Sequence, residues 1–562
     1  MLPAVRAARD AWLWAVIVFS VAYSLPVWPM LGSLSDEGVI VHGAAQILDG
    51  KAPYRDFFEI LAPGSFLVLA GWLKLFGATF GSLRTLLIVI LTLIAALTYL
   101  AARAVSGRSL IAAALALGWI VRSPYETNHH LLTTAVSMAC ALALIRAAAG
   151  SRSPLPWAAA GLFAGTAVTI TQSRGALLAC AVIATAVAGS ERIRPLVMAV
   201  IGMAVLPIAA MTYLAAVGAL GPAIRDAVMF PLQHYSGIQS VPFGAFASAA
   251  DTGIVAFFPV TLIVAIAAGG LGLWRTLPVR APVLLAAAGF LGACARPDTP
   301  HLSFAMPLAA PLLALGLRSL LDGVGPRTRL VLSAVLIGAW LWHIAYAVSV
   351  RVELALAPRE RIETPRGVVQ NFAGLWTRDF AWLVGGIQRH TAPRDRFFFY
   401  PYMPMAPFLT ARRHVARLDV ILPGYTTPEQ YRQVCEAMVA EADWVVIDRQ
   451  WTDPDSLRFL YPAMTDPMPP ERRIFEAVLF HGFERVADSP HFEVRRRTAA
   501  AVSSLCAAIG NAGRAAAGSA SAVAEDVRPL ASPITERFFG VIVARWWGKC
   551  GHAIDRCRRN VA

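Results

Sequence analysis

The feature that most constrains this chain is the recurrence of long apolar runs through its first 350 residues. The runs are roughly 15–22 residues long, and about 20 apolar residues make a helix that crosses a bilayer. Of 562 residues, 57% are hydrophobic and only 15% charged, against about 25% charged in a typical soluble domain. So few polar residues could not cover a water-soluble core with that much apolar surface. The sequence therefore predicts a polytopic helical membrane protein, mainly α.

Charge gives the runs a direction. The first, residues 11–31, follows Arg6 and Arg9. It lacks the short apolar core and small-residue cleavage site of a signal peptide, and reads as an uncleaved anchor. Basic joints between spans stay in the cytoplasm. With the N-terminus inside, residues 32–83 lie outside, and span 83–102 runs inward to Arg103 and Arg108. Every second joint is then basic: Arg146 and Arg152; Arg192 and Arg194; Arg275 and Arg280; Arg318, Arg327 and Arg329. The alternate joints are mixed: Arg122 with Glu126, Arg174 alone, Arg225 with Asp226 and Asp251, Arg296 with Asp298. This fits about eleven spans in a bacterial inner membrane, with a cytoplasmic N-terminus and a periplasmic C-terminal domain. The apolar stretch 63–80 is broken by Pro63, Gly64, Gly71, Lys74 and Gly77. It reads as an outer-interface helix, because one more span would reverse every later joint. The net charge of +14 belongs to these joints. No basic stripe with interleaved aromatics marks a nucleic-acid surface.

Three regions follow: residues 1–350 in the membrane, 351–498 as a small extracytoplasmic α/β domain, and 499–562 as a tail. In the second region, Arg396–Tyr400, 443–448 and 492–496 read as strands. Pro428–Glu441, with Thr427 as N-cap, and 474–481 read as helices. Residues 499–530 are rich in Ala, Gly and Ser and are expected to be poorly ordered. Residues 534–559 mix aromatics with arginines and suit an interfacial amphipathic helix or a plain sticky tail. Of seven cysteines, only Cys435 lies within 351–498, so no disulfide framework is expected there. Cys550 and Cys557 lack zinc-site spacing.

The polar residues of the membrane region gather in outer joints: Asp36, Glu37, Lys74, Glu126, His129, His130, Arg174, Arg296, Asp298 and His301. They come from separate joints but one side of the membrane, as an interfacial active site requires. In Ser35-Asp36-Glu37-Gly38, Ser35 reads as the cap of a helix starting at Asp36. The acids are then either helix-start residues, or carboxylates that accept a proton from a hydroxyl or hold a divalent cation. Arg174 and Arg296 are phosphate binders, or else interfacial anchors or ion-pair partners of a nearby acid, with Asp298 and His301 converging on Arg296. Glu126 and His129, with His130, are metal ligands alongside Asp36, or solvated loop residues. Tyr235, beside His234, lines a substrate loop or belongs to an aromatic belt. Asp419, Asp443, Asp448 and His481 read as strand-end and surface groups. The soluble region carries no nucleophilic triad, P-loop or zinc cluster.

The string DEG-x7-QILDGKAPYRDFFEILAPGSF, followed by KLFG and a Leu-Arg start to the next span, resembles the GT-C class of membrane glycosyltransferases. It is most similar to the branch of the protein mannosyltransferases and lipid A aminoarabinose transferases. The resemblance covers about the first 110 residues in sequence and the remainder in layout. It implies transfer of a hexose or pentose from a polyprenyl-phosphate donor to an acceptor hydroxyl of a glycan, lipid or protein. Transfer would occur on the outer face with inversion. The signature acid of the class falls on Asp36, with Glu37 adjacent. Where the aminoarabinose transferases carry Lys-Pro-Pro, this chain reads Ile60-Leu61-Ala62-Pro63. The phosphate-binding lysine is absent, and Arg55 or Lys51 stands in for it. A transporter or flippase of a lipid-linked intermediate is the competing reading. Transporters show paired halves and mid-membrane charge; here no repeat stands out and the charges sit at one face.

Overall fold

A computed structural model describes residues 10–150, 153–189, 193–248, 251–269, 277–498 and 503–512. Arg6, Arg9, Arg152, Arg192, Arg275 and the tail segment 534–559 lie outside the described residues. The chain forms two compact units. The first holds residues 10–230, Pro242–Pro358 and Gly367–Gln370. The second holds Pro231–Val241, Arg359–Arg366 and the described residues from Asn371 onward.

The first unit is helical, because a segment in lipid must satisfy its own backbone. Six described helices are long and apolar enough to span: Phe80–Ser106, His129–Ala148, Arg194–Ala216, Thr252–Gly269, Thr299–Gly323 and Pro326–Leu356. Five shorter apolar helices accompany them: Ala11–Val27, Ser109–Ile120, Leu155–Ile170, Gln172–Ala188 and Val279–Ala293. The chain is a multi-pass membrane protein. Gly64–Phe76 is a sixth shorter apolar helix. At 13 residues it is only about 20 Å long, and Gly77, at φ +90°, ends it.

Charges mark the two ends of the bundle. On Phe80–Ser106, Arg84 and Arg103 are separated by about 28 Å at 1.5 Å per residue, near the thickness of the hydrocarbon core. Arg103 pairs with Asp10, which also accepts from Tyr99 Oη at 2.7 Å. Arg108 Nη2 reaches Asp322 Oδ1 at 2.8 Å, so Phe80–Ser106 and Thr299–Gly323 end together. Their starts, with Arg84 and Asp298, therefore share the opposite end. Thr134 Oγ1 donates to Phe304 O at 2.8 Å, and the Thr133 and Thr171 hydroxyls meet at 2.7 Å. Helices His129–Ala148 and Gln172–Gly189 thus begin at that same end.

Apolar burial cannot drive helices together in lipid, so close backbone approach must. Leu155–Ile170 and Arg194–Ala216 meet through Gly161, Gly165 and Gly202. A Cβ on these glycines would collide with the carbonyls of Ala199, Met203 and Ala158 respectively.

The described residues form seven strands: β1 (Arg359–Thr364), β2 (Gly367–Phe372, whose first four residues belong to the first unit), β3 (Arg396–Tyr400), β4 (Arg413–His414), β5 (Trp444–Asp448), β6 (Phe483–Asp488) and β7 (Phe492–Arg497). Strands β4-β3-β5-β7-β6 form one sheet in that order. β3 runs parallel to β4 and β5, and the β6–β7 pair is antiparallel. Residues 397–400 of β3 are buried without alternation, as in a strand covered on both faces. Helix Pro428–Glu441 opens with a reciprocal capping box between Thr427 and Gln430, as its sequence predicts.

Three expectations need correction. Cys435 forms a disulfide with Cys506, 71 residues on. Residues 503–512 of the Ala-rich stretch are a helix packed on Pro428–Glu441 and Pro470–Gly482; the crosslink and that apolar seat supply order that composition does not reveal. Asp448 ends β5 as expected but is buried rather than at the surface. It caps a short turn by accepting from Gln450 N at 3.0 Å, and burial pushes its carboxyl up to about 7.

Non-reducing peptide mapping of the full chain should recover Cys435 and Cys506 in one linked species. Cys506→Ser should lower the stability of the second unit by about 2–5 kcal/mol, read as an earlier unfolding transition.

Candidate functional site

At the end of the bundle where Arg84 lies, helix Asp36–Leu48 begins. Its first turn is held by Ser33 rather than Ser35: Ser33 Oγ accepts from the amides of Ser35 at 2.9 Å and Asp36 at 3.1 Å. Ser35 sits at the cap position without a side-chain capping bond. Asp36 is exposed and Glu37 is fully buried, since consecutive helical residues point about 100° apart.

Glu37 is clamped by Arg84, itself fully buried. Arg84 Nη2 donates to Glu37 Oε2 at 2.7 Å and Nη1 to Oε1, while Nε donates to Met30 O at 2.8 Å. Thr127 N adds a bond to Glu37 Oε1 at 2.8 Å. Glu37, expected beside Asp36 as a catalytic acid, is thus buried in an ion pair that ties down the helix start carrying Asp36.

Glu126 completes this acidic corner. Its Cβ lies 2.6 Å from where a Cβ on Gly32 would stand, and Glu37 Oε2 lies 3.1 Å from that point. Only glycine fits there. Burial, then Asp36 and Glu37, push the Glu126 carboxyl up to about 8, so it carries a proton at neutral pH. Asp36, Glu126 and His129 form no cation cage: among the described residues, no three His, Cys, Asp or Glu side chains are arranged to hold a metal ion.

Residues 126–130 lead from this corner to a second group. Asn128 Oδ1 caps helix His129–Ala148 by accepting from Leu131 N. The His129 and His130 rings lie 3.9 Å apart, and the edge of His130 meets His301 at 4.7 Å. His301 Nδ1 is 2.5 Å from Asp298 Oδ1, and Arg296 Nε donates to Asp298 Oδ2 at 2.7 Å. Burial opposes charge on Asp298, but the His301 and Arg296 bonds outweigh it and hold its carboxyl below the usual range. Arg174 Nη2 donates to His301 O at 3.2 Å, and its guanidinium lies 6.0 Å from the Phe304 ring centre. The structure thus joins Arg174, Arg296, Asp298 and His301, and adds His129 and His130.

Lys51 and Arg55 lie on the segment between the first two helices of the corner. Lys51 Nζ donates to Gln46 Oε1 at 2.9 Å. Arg55 is spread between Asp56 and the carbonyl of Val217. Gln172 stitches this segment down: its amide nitrogen donates to Ile60 O and Ala227 O at 2.8 and 2.9 Å, and its oxygen accepts from Ala62 N. Tyr235 belongs to the second unit, where its ring meets Tyr425 edge-on at 6.3 Å.

Arg84 and Gln172 are the site residues that sequence reasoning passes over. Arg84 left a signal: an arginine near the start of an apolar span is costly without a partner. Gln172 left none, because its acceptors are carbonyls remote in sequence.

The fold matches solved structures along 87% of the chain. ArnT from Cupriavidus metallidurans bound to undecaprenyl phosphate aligns with TM-score 0.54 and 15% identity, over 99% of its own length. Its apo form aligns with TM-score 0.51 and 14% identity, over 98%. Arabinofuranosyltransferase AftD from Mycobacteria aligns with TM-score 0.50 and 15% identity, over 40% of that longer chain. No family profile and no curated protein matches the chain in sequence. The chain therefore has the GT-C fold of membrane glycosyltransferases.

Removing one half of a buried ion pair strands the other. Arg84→Ala should cost about 3–5 kcal/mol of stability, and the double change Arg84→Met with Glu37→Leu much less. Thermal unfolding of the full chain in detergent reads this; equal losses would contradict the isolated-charge account.

Proposed function

We propose that this protein is a glycosyltransferase that moves a sugar from a polyprenyl-phosphate donor to an acceptor hydroxyl, with inversion. The reading rests on one observation above all. A GT-C fold, aligned along nearly the whole of ArnT, presents an exposed Asp36 at a helix start that a buried ion pair locks in place.

The chemistry asks for a base, for positive charge at the phosphate and for an apolar groove. Asp36 is the base: one carboxylate suffices to take the hydroxyl proton in a single displacement. Helices His129–Ala148, Gln172–Gly189 and Thr299–Gly323 begin at the same end of the bundle. Their N-termini favour an anion, and Arg174 and Arg296 add full charges. The lipid-facing bundle supplies the apolar surface a polyprenyl chain needs. The solved ArnT complex holds undecaprenyl phosphate, which is the donor class assigned here.

The same reading puts the site and the second unit outside the cytoplasm. Arginine alternation supports that sidedness, and so does the Cys435–Cys506 disulfide, since such bonds persist in oxidising compartments. Residues 351–498 serve acceptor recognition rather than chemistry, for their sequence carries no nucleophilic triad or phosphate loop. Residues 1–350 form the catalytic part.

Asp36→Asn should fold and bind polyprenyl phosphate like the parent, yet lower turnover about 10²–10⁴-fold. Turnover with a radiolabelled polyprenyl-phosphate sugar measures this; undiminished transfer would remove Asp36 from the chemistry.

A further inference from the structure

We infer that His301, oriented by Asp298, is the proton donor to the departing phosphate. This rests on the proposed donor class and assigns a catalytic role on the side of the sugar opposite to Asp36.

The geometry begins with helix Thr299–Gly323. Asp298 is its cap, and Oδ1 accepts from His301 N at 3.1 Å. The same oxygen meets His301 Nδ1 at 2.5 Å. A cap needs only the backbone bond; the second bond fixes the imidazole. With Nδ1 committed to a carboxylate, Nδ1 bears a proton and Nε2 is left for a ligand. Among the described residues, nothing bonds Nε2. The side chain is 18% exposed, against 5% for Asp298, so the ring is the more accessible member of the pair. Arg296 occupies the other oxygen of Asp298 and prevents the carboxylate from turning away.

The surroundings are arranged for an anion. Arg174 holds the backbone carbonyl of His301, which brings a guanidinium to the same helix start. His130 meets the imidazole edge-on and stacks on Phe304 at 5.1 Å. The titratable and charged groups facing His301 are thus Asp298, Arg296, Arg174, His130 and, one ring further, His129.

The acceptor oxygen forms a bond to the anomeric carbon and gives its proton to Asp36. The bond from that carbon to the phosphate oxygen breaks, and its electron pair goes to phosphate. The proton on His301 Nε2 passes to a phosphate oxygen, leaving a neutral ring with Nδ1–H still on Asp298. Water restores the proton to His301 and removes the one on Asp36. The products are the glycoside and a polyprenyl hydrogen phosphate.

The test is equilibrium binding of undecaprenyl phosphate to the full-length protein between pH 5.5 and 8.5. It compares the parent, His301→Gln, Asp298→Asn and Asp36→Asn. The phosphate titrates near pH ~6 itself, so the quantity read is the affinity ratio of parent to variant at each pH. His301→Gln should weaken binding about 10–100-fold, the range of one charge-assisted hydrogen bond. Asp298→Asn retains a cap acceptor and should show the same weakening, whereas Asp36→Asn should bind like the parent. A His301→Gln ratio of one at every pH would leave Asp298–His301 as a helix cap only and overturn the assignment. A parent protein that binds no polyprenyl phosphate would overturn the donor class, and this role with it.

Discussion

Everything at the candidate site hangs on the buried pair between Glu37 and Arg84. An ion pair at zero exposure is costly to desolvate, and survives only when its hydrogen bonds are nearly complete. Here the carboxylate and guanidinium are completed by Thr127 N and Met30 O. The pair therefore ties together the loop after the first span, helix Asp36–Leu48, the start of Phe80–Ser106 and the 121–128 connection. Asp36 gains a fixed position from its neighbour, and Gly32 lets Glu126 approach the same corner.

The second constraint is the placement of helix starts. Arg108 with Asp322, and Arg103 with Asp10, close one end of the bundle. The opposite end is left to Arg84, His129, Arg174 and Asp298, each near a helix start. Charges are thereby kept out of the middle of the bundle and gathered where N-terminal dipoles add to them. Close packing through Gly161, Gly165 and Gly202 holds the outer helices without needing a hydrophobic drive.

Much of this was legible in the sequence. The mainly helical membrane fold, with its long apolar helices, follows from run length. The clustering of polar residues at one end of the bundle follows from the spacing of the runs, because a helix that must exclude charge concentrates it in joints. What sequence could not yield is pairing. Nothing in the order of residues says that Glu37 faces inward and Asp36 outward, or that Cys435 finds Cys506 across 71 residues. Long-range partners also decided Asp448, whose burial comes from the sheet around it, and Arg55, whose guanidinium reaches the carbonyl of Val217. The segment 231–241 looked like a membrane joint by position alone, yet it packs with the second unit.

The account stands on one claim: that this bundle end holds a lipid phosphate and uses it as a sugar donor. Mass spectrometry of lipid that copurifies with the full-length protein tests that claim most directly. The account predicts a polyprenyl phosphate, bare or carrying a sugar, released on denaturation and absent from a similarly purified membrane protein of another fold. Bulk phospholipid alone, with no polyprenyl species retained, would contradict it.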